Sequence, residues 1–233
     1  MTSQEVVKKL KSLAHGDLAS MARFGVDTST ALGVTIPHLR SFARDIGKDH
    51  KLALELWKTG IHEARILASM VDDPEQVTEK QMDAWVKDFN SWDVCDQTCS
   101  NLFRYTSFAL QKCKQWAGNE EEFVKRTGFA LMASLAAAGK NTVTDQQFKS
   151  FLPLIIREAT DERNFVRKAV NWALRQIGKR NEKLHADALK TALEIEKIDS
   201  KSARWIAKDA IRELKSDGIA KRLRSKGSSR GKK

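Results

Sequence analysis

The chain has 233 residues, with 41 Lys+Arg against 30 Asp+Glu, a formal net charge of +11 and three cysteines. An odd cysteine count offers no paired framework for a disulfide-stapled secreted domain, the N-terminal MTSQEVVKKLKSLAHG lacks the apolar run of a signal peptide, and no stretch approaches the roughly 20 apolar residues of a membrane span. So basic a balance favours a polyanionic partner, nucleic acid ahead of an anionic membrane. The expectation is a cytoplasmic monomer of a reducing compartment.

Helical periodicity runs through almost the whole chain. It predicts helices over 5–14, 37–46, 50–58, 61–71, 79–89, 92–104 and 107–117, then over 120–138, 145–158, 163–178, 182–196 and 201–215. Val6, Leu10 and Leu13 share a face, as do Phe165, Ala169 and Trp172, and further on Trp205, Asp209 and Arg212. Thr2 with Glu5, Thr78 with Gln81, and Thr144 with Gln147 have capping-box spacing. Gly47, Gly60, Gly118, Gly139 and Gly178 stand where helices should end. Pro37 fits a first turn, and Pro153 should kink or break its helix. No alternating run is long enough for a strand.

The predicted helices are short, paired, and recur at roughly 35–45 residues, the spacing of helical-repeat solenoids. A plain helical bundle is the alternative. A solenoid has a functional corollary, since its concave face can follow a duplex. Past Gly218 the composition changes to AKRLRSKGSSRGKK, which reads as a flexible basic tail over 218–233 behind a domain over 1–217.

Several motifs resolve to ordinary roles. HEARI at 62–66 begins like a zinc-protease helix but has Ile66 where the second histidine belongs, so His62 reads as a capping or lining residue. GKNT at 139–142 lacks the pattern of a phosphate loop. Cys95, Cys99 and Cys113 have neither a nearby histidine nor a fourth cysteine, and read as small buried hydrophobes; no metal and no cofactor is expected. What remains are acids, arginines and tryptophans. Trp92, Asp96, Cys99 and Phe103 fall on one face by their 4-3-4 spacing, with Asp93 and Gln97 beside it. An aspartate on such a face is costly unless paired or working. In the 120–138 helix, Arg126, Ala130 and Ala133 share a face whose small residues allow close helix approach. Arg163, Arg167, Lys168, Arg175, Lys179 and Arg180 surround Trp172, a mixture suited to phosphates and sugar faces. These residues leave two readings open: Trp92 and Trp172 as core with Asp96 and Arg126 as a buried ion pair, or a reaction centre.

At these residues the chain resembles the AlkD-type DNA alkylation repair family, the HEAT-like-repeat DNA glycosylases. The likeness runs from about residue 5 to 215 and rests on LGVTIPHLR, LWKTGIHEARILA, SWDVCD, VKRTGFAL and RKAVNWALRQ, the last three being the more specific. It implies an all-α superhelical solenoid of antiparallel HEAT-like helix pairs with a concave basic face. It also implies excision of cationic N3- and N7-alkylated purines from double-stranded DNA without base flipping. By that likeness the carboxylate is Asp96, the aromatics are Trp92 and Trp172, and the cleft arginine is Arg126. Arg175 becomes a backbone contact, within a DNA-binding set of Arg163, Arg167, Lys168, Arg175 and Lys179. The family's aromatic hydroxyl near the N-terminus has at most Phe24 in its place, since Tyr105 is the sole tyrosine. Two further classes stay open: a non-catalytic binder of damaged or unusually structured DNA on the same fold, and a helical-repeat protein that binds another protein.

Overall fold

The computed structural model describes residues 1–139 and 143–230, with side chains to 225. Among the described residues there is no strand, and no helix is long and apolar enough to cross a membrane. The chain divides into two compact units, Met1–Ala109 and Leu110–Lys233. The GKNT motif lies mostly outside the described residues, as do the last three of the tail.

In the first unit, α1 (Ser3–Ser12) starts in the expected capping box, Thr2 and Glu5 satisfying each other's backbone N–H, and buries Val6 and Leu10. A short α2 (Leu18–Arg23), capped by Asp17, buries none of its residues and has no counterpart in the predicted elements. Pro37 opens α3 (Ile36–Ile46), which stops at Gly47 with φ +77°. Next come α4 (His50–Lys58), α5 (His62–Val71), α6 (Glu79–Lys87) and α7 (Trp92–Asn101), then a 3-10 turn at Phe103–Tyr105. Packing centres on α5, which touches α1, α3, α4 and α7. Its buried residues include His62 and Glu63 as well as Ile66 and Leu67. Beside it the indoles of Trp57 and Trp85 stack at 3.8 Å with planes 4° apart. Thr78 caps α6 as expected, but the box is not closed: the Gln81 amide donates instead to Asp72 Oδ2 at 2.7 Å.

Backbone crosses backbone where Gly16 meets Gly33. A Cβ on Gly16 would stand 2.2 Å from the Gly33 carbonyl oxygen, and Gly33 itself has φ +80°. The loop that follows is held from inside. Glu63, 1% exposed, accepts the N–H of Leu32 at 2.8 Å, of Gly33 at 2.6 Å and of Val34 at 3.2 Å.

The second unit runs α8 (Ala109–Ala117), α9 (Glu122–Ala137), α10 (Asp145–Lys149), α11 (Leu152–Glu158), α12 (Asn164–Gly178), α13 (Glu182–Ile195), α14 (Lys201–Leu214) and α15 (Asp217–Arg230). The predicted 145–158 helix is two, because Pro153 sits in the first turn of α11. Every residue of α9 from Val124 to Ala136 is buried, so this helix is the unit's core rod. Its close packing needs Gly128, where a Cβ would come within 2.5 Å of the Ala117 backbone nitrogen. Two cations go inside with α9. Lys125 Nζ lies 2.6 Å from Glu158 and 3.3 Å from Asp161, and Arg126 donates from Nη1 to the Phe165 carbonyl at 2.7 Å. Gly178 ends α12, as expected, and is also pressed against Leu214 and Ala188. The basic stretch after Gly218, expected as tail, belongs to α15 as far as Arg230, with Leu223 5% exposed.

Candidate functional site

The first turn of α7 is fixed by a chain of polar contacts. Ser91, just before the helix, donates to Asp93 Oδ1 at 2.7 Å and accepts the Asp27 N–H at 3.3 Å. His62 Nε2 lies 2.9 Å from Asp93 Oδ2. Burial works against the charge on His62, yet the hydrogen bond and charge of Asp93, with Glu63 and Asp27 nearby, lift it above the ordinary histidine value. Burial likewise works against Asp93, and His62, Ser91 and the Val94 N–H outweigh it, holding the carboxyl below its usual range. Trp92 is anchored separately, its Nε1 donating to the Phe24 carbonyl at 3.0 Å. The anchors together set where the rest of α7 points.

Along α7, Val94, Cys95, Thr98 and Cys99 are buried, while Trp92, Asp93, Asp96, Gln97 and Ser100 form a half-buried stripe. Trp92 and Asp96 therefore share a face, as the spacing predicts. Cys99, two turns on, lies on the same side of the helix but is fully buried, and Phe103 does not share the face because the helix ends at Asn101. Trp92 and Asp93 also wall a pocket of about 480 Å³, whose other sides include Met21, Phe24, Val34 and His62.

In the second unit, α12 carries the expected cations. Lys168 is exposed, and Trp172, Arg175 and Lys179 are half-buried, all on the arc turned away from the buried Val166, Ala169, Val170 and Ala173. Their charges are partly answered from within. Glu213 pairs with Arg175 and takes Lys179 Nζ at 2.7 Å, and Asp209 lies 3.4 Å from Arg175. Burial raises the affinity of Glu213 for a proton, but Lys179 and Arg175 hold it below its usual value. Turned so that its oxygen faces them, the Gln176 amide accepts from Trp172 Nε1 at 3.0 Å and Lys179 Nζ at 3.2 Å. Arg163 caps the start of α12, forked onto Asp161 and donating to the Glu120 carbonyl at 2.6 Å. Arg167, at the edge of the arc, places its guanidinium 5.1 Å from the centroid of the Trp205 ring. Arg126 is only 4% exposed, so its bond to Phe165 serves to hold α9 against the start of α12, the helix that bears Trp172.

Sequence reasoning passed over the His62–Asp93 pair and the Glu63 clamp; their only signal was two polar residues heading the apolar HEARI helix. It also recorded Trp205 as a face residue and no more.

Comparison with known proteins supplies the family. No curated protein matches the sequence at a significant level. One solved structure, of a new family of proteins related to the HEAT-like repeat DNA glycosylases with affinity for branched DNA structures, is similar with a TM-score of 0.75 at 19% identity. The match covers 92% of this chain and 96% of that one, and it establishes the all-α HEAT-like-repeat fold. A designed armadillo repeat protein in complex with the peptide (KR)4 is similar at a TM-score of 0.36 and 12% identity, over 80% of this chain and 88% of that one. The sequence profile of the DNA alkylation repair enzymes matches residues 6–214, nearly all of the two units described above, and the chain belongs to that family.

Proposed function

We propose that the protein is a DNA glycosylase that hydrolyses the N-glycosidic bond of cationic N3- or N7-alkylated purines in duplex DNA. The observation that supports this reading best is the half-buried stripe of α7, which presents the Trp92 indole and the Asp96 carboxylate one turn apart in a chain of this family. Neighbouring Asp93 has a different job, since its charge is committed to His62.

In this reading the alkylated purine leaves as a neutral base, taking the bonding electron pair of its glycosidic nitrogen. Positive charge develops on the deoxyribose. Asp96 stabilises that charge and orients water, whose oxygen bonds to C1′ while its proton passes to the carboxylate or to solvent. The ring face of Trp92 attracts the same charge. Arg126 acts mainly by positioning α12, while Lys168, Arg175 and Lys179 meet the phosphate backbone.

A second reading has its own support: the similar solved structure comes from proteins with affinity for branched DNA. On that reading the chain binds unusual DNA and releases nothing. Asp96→Asn separates the two, because it keeps shape and hydrogen bonding and removes the charge. A preorganised charge of this kind is worth about 10²–10³ in rate. The parent should release N3-methyladenine or N7-methylguanine from methylated duplex, and the variant at least about tenfold more slowly, with unaltered melting temperature and equal or tighter DNA binding. Equal release by both proteins would remove Asp96 from the chemistry. No release by either, with binding intact, would establish the binder.

A further inference from the structure

One face of α14 is a continuous cationic strip with a single indole in it. Lys201, Arg204, Trp205, Lys208, Arg212 and Lys215 are all exposed and lie within about a third of the helix circumference. The strip is about 21 Å long at 1.5 Å per residue. Its opposite face, with Ser202, Ala203, Ile206, Ala207 and Ala210, is buried. Two of the cations have acidic neighbours: Arg204 reaches the exposed Asp199 at 2.8 Å, and Arg212 pairs with Asp209. The side chains of Lys201, Lys208 and Lys215 enter no ion pair among the described residues.

Trp205 is 38% exposed, in the midst of these charges. A tryptophan there is not needed by the core, which α14 fills with small and aliphatic residues. Arg167 lies over its ring from α12 and holds it in place. A strip that met only a duplex backbone would gain little from an indole, since paired bases keep their faces stacked on one another. Phosphates beside a base face are found together on an unpaired strand, and cations flanking an aromatic platform are how such strands are bound.

We infer that this face of α14 is a binding surface for single-stranded DNA, with an unpaired base stacked on Trp205 and the flanking phosphates met by Lys201, Lys208 and Lys215. None of these residues is assigned to base release, and the inference does not depend on that assignment. It equips the protein to engage DNA where a strand is unpaired.

The test uses the full chain, with anisotropy of a fluorescein-labelled oligothymidylate and, in parallel, of a blunt mixed-sequence duplex. Trp205→Ala should weaken oligothymidylate binding by about fivefold or more, the lower end for loss of one stacked base, and change duplex binding by less than about twofold. Trp205→Phe, which keeps a ring, should retain most of the affinity and controls for folding. Replacing Lys201, Lys208 and Lys215 together by Gln should flatten the salt dependence of oligothymidylate binding by about 2 in log–log slope. Unchanged oligothymidylate affinity in Trp205→Ala, or equal losses on strand and duplex, would overturn the inference. Base release by Trp205→Ala from methylated duplex should equal the parent's, so failure here and failure of the glycosylase reading are distinguishable.

Discussion

Glu63 offers the sharpest test of how the first unit is built. Its buried carboxylate takes three backbone N–H groups from the loop at Leu32, Gly33 and Val34, Oε1 accepting two and Oε2 one. Glu63→Gln keeps the shape but leaves one oxygen. In its better orientation that oxygen still serves Gly33 and Val34, and the new NH₂ faces the Leu32 N–H, donor against donor. A buried N–H left without an acceptor costs about 1–3 kcal/mol, and the two surviving bonds lose the strength that charge gave them. The expected total is about 2–3 kcal/mol, or a fall in melting temperature of about 4–12 °C for a chain of this size. Calorimetry measures the fall. Amide hydrogen exchange locates it, with residues 32–34 accelerated more than the helices around them. Glu63→Ala, which orphans all three groups and leaves a cavity, should be worse by a further 1 kcal/mol or more, roughly. A glutamine variant that melts with its parent, and whose 32–34 amides exchange no faster, would refute the clamp.

Two more outcomes follow from close packing and from charge. Gly128→Ala should cost about 3 kcal/mol or more, because its Cβ meets the backbone of Ala117 at 2.5 and 2.9 Å; Gly47→Ala, in open space at φ +77° and ψ −155°, should cost about 1–3 kcal/mol from backbone strain alone, and urea midpoints in the reverse order would contradict the packing. The His62–Asp93 pair should give a stability contribution with two edges. His62, raised above its ordinary 6.5, contributes fully below that pH and loses its contribution as pH rises through the folded value. Asp93, lowered from its ordinary 3.8, contributes above that pH and loses its contribution as pH falls through the folded value. Urea unfolding of parent and His62→Gln should therefore differ most between the two ordinary values and converge toward alkaline pH; a gap that widens above neutrality would reverse the sign and exclude the pair as its source.

Local chemistry was the most legible part of the sequence. Pro37 in a first turn, the break at Pro153 and the stop at Gly47 were all readable because each depends on its own backbone. The helix α2 was not, since it buries nothing and so has no apolar period to show. Gly178 ends its helix as expected, but its second role as a close contact was hidden, because what presses on it, Leu214 and Ala188, lies elsewhere in the chain. The same reason hid the role of Gln81, whose amide serves Asp72 rather than its own helix cap. At the candidate site, spacing placed Trp92 and Asp96 on one face but extended that face to Phe103, a core residue beyond the helix end. The His62–Asp93 bond spans 31 residues, and no local pattern announces such a pairing.

The carboxylates set against α12 bear on how a protein so basic moves among nucleic acids. Asp161, Asp209 and Glu213 already pair with Arg163, Arg175 and Lys179, the cations a phosphate would be offered. Engaging a phosphate there is an exchange of one anion for another, so each contact yields less than a bare cation would and releases fewer counterions. On the proposed function, undamaged DNA, which exceeds any target by many orders of magnitude, would then be held more loosely than the +11 charge suggests. Short residence at each stop would shorten the search which that function requires, and a site that adds contacts beyond this exchange would stand out against the rest of the genome.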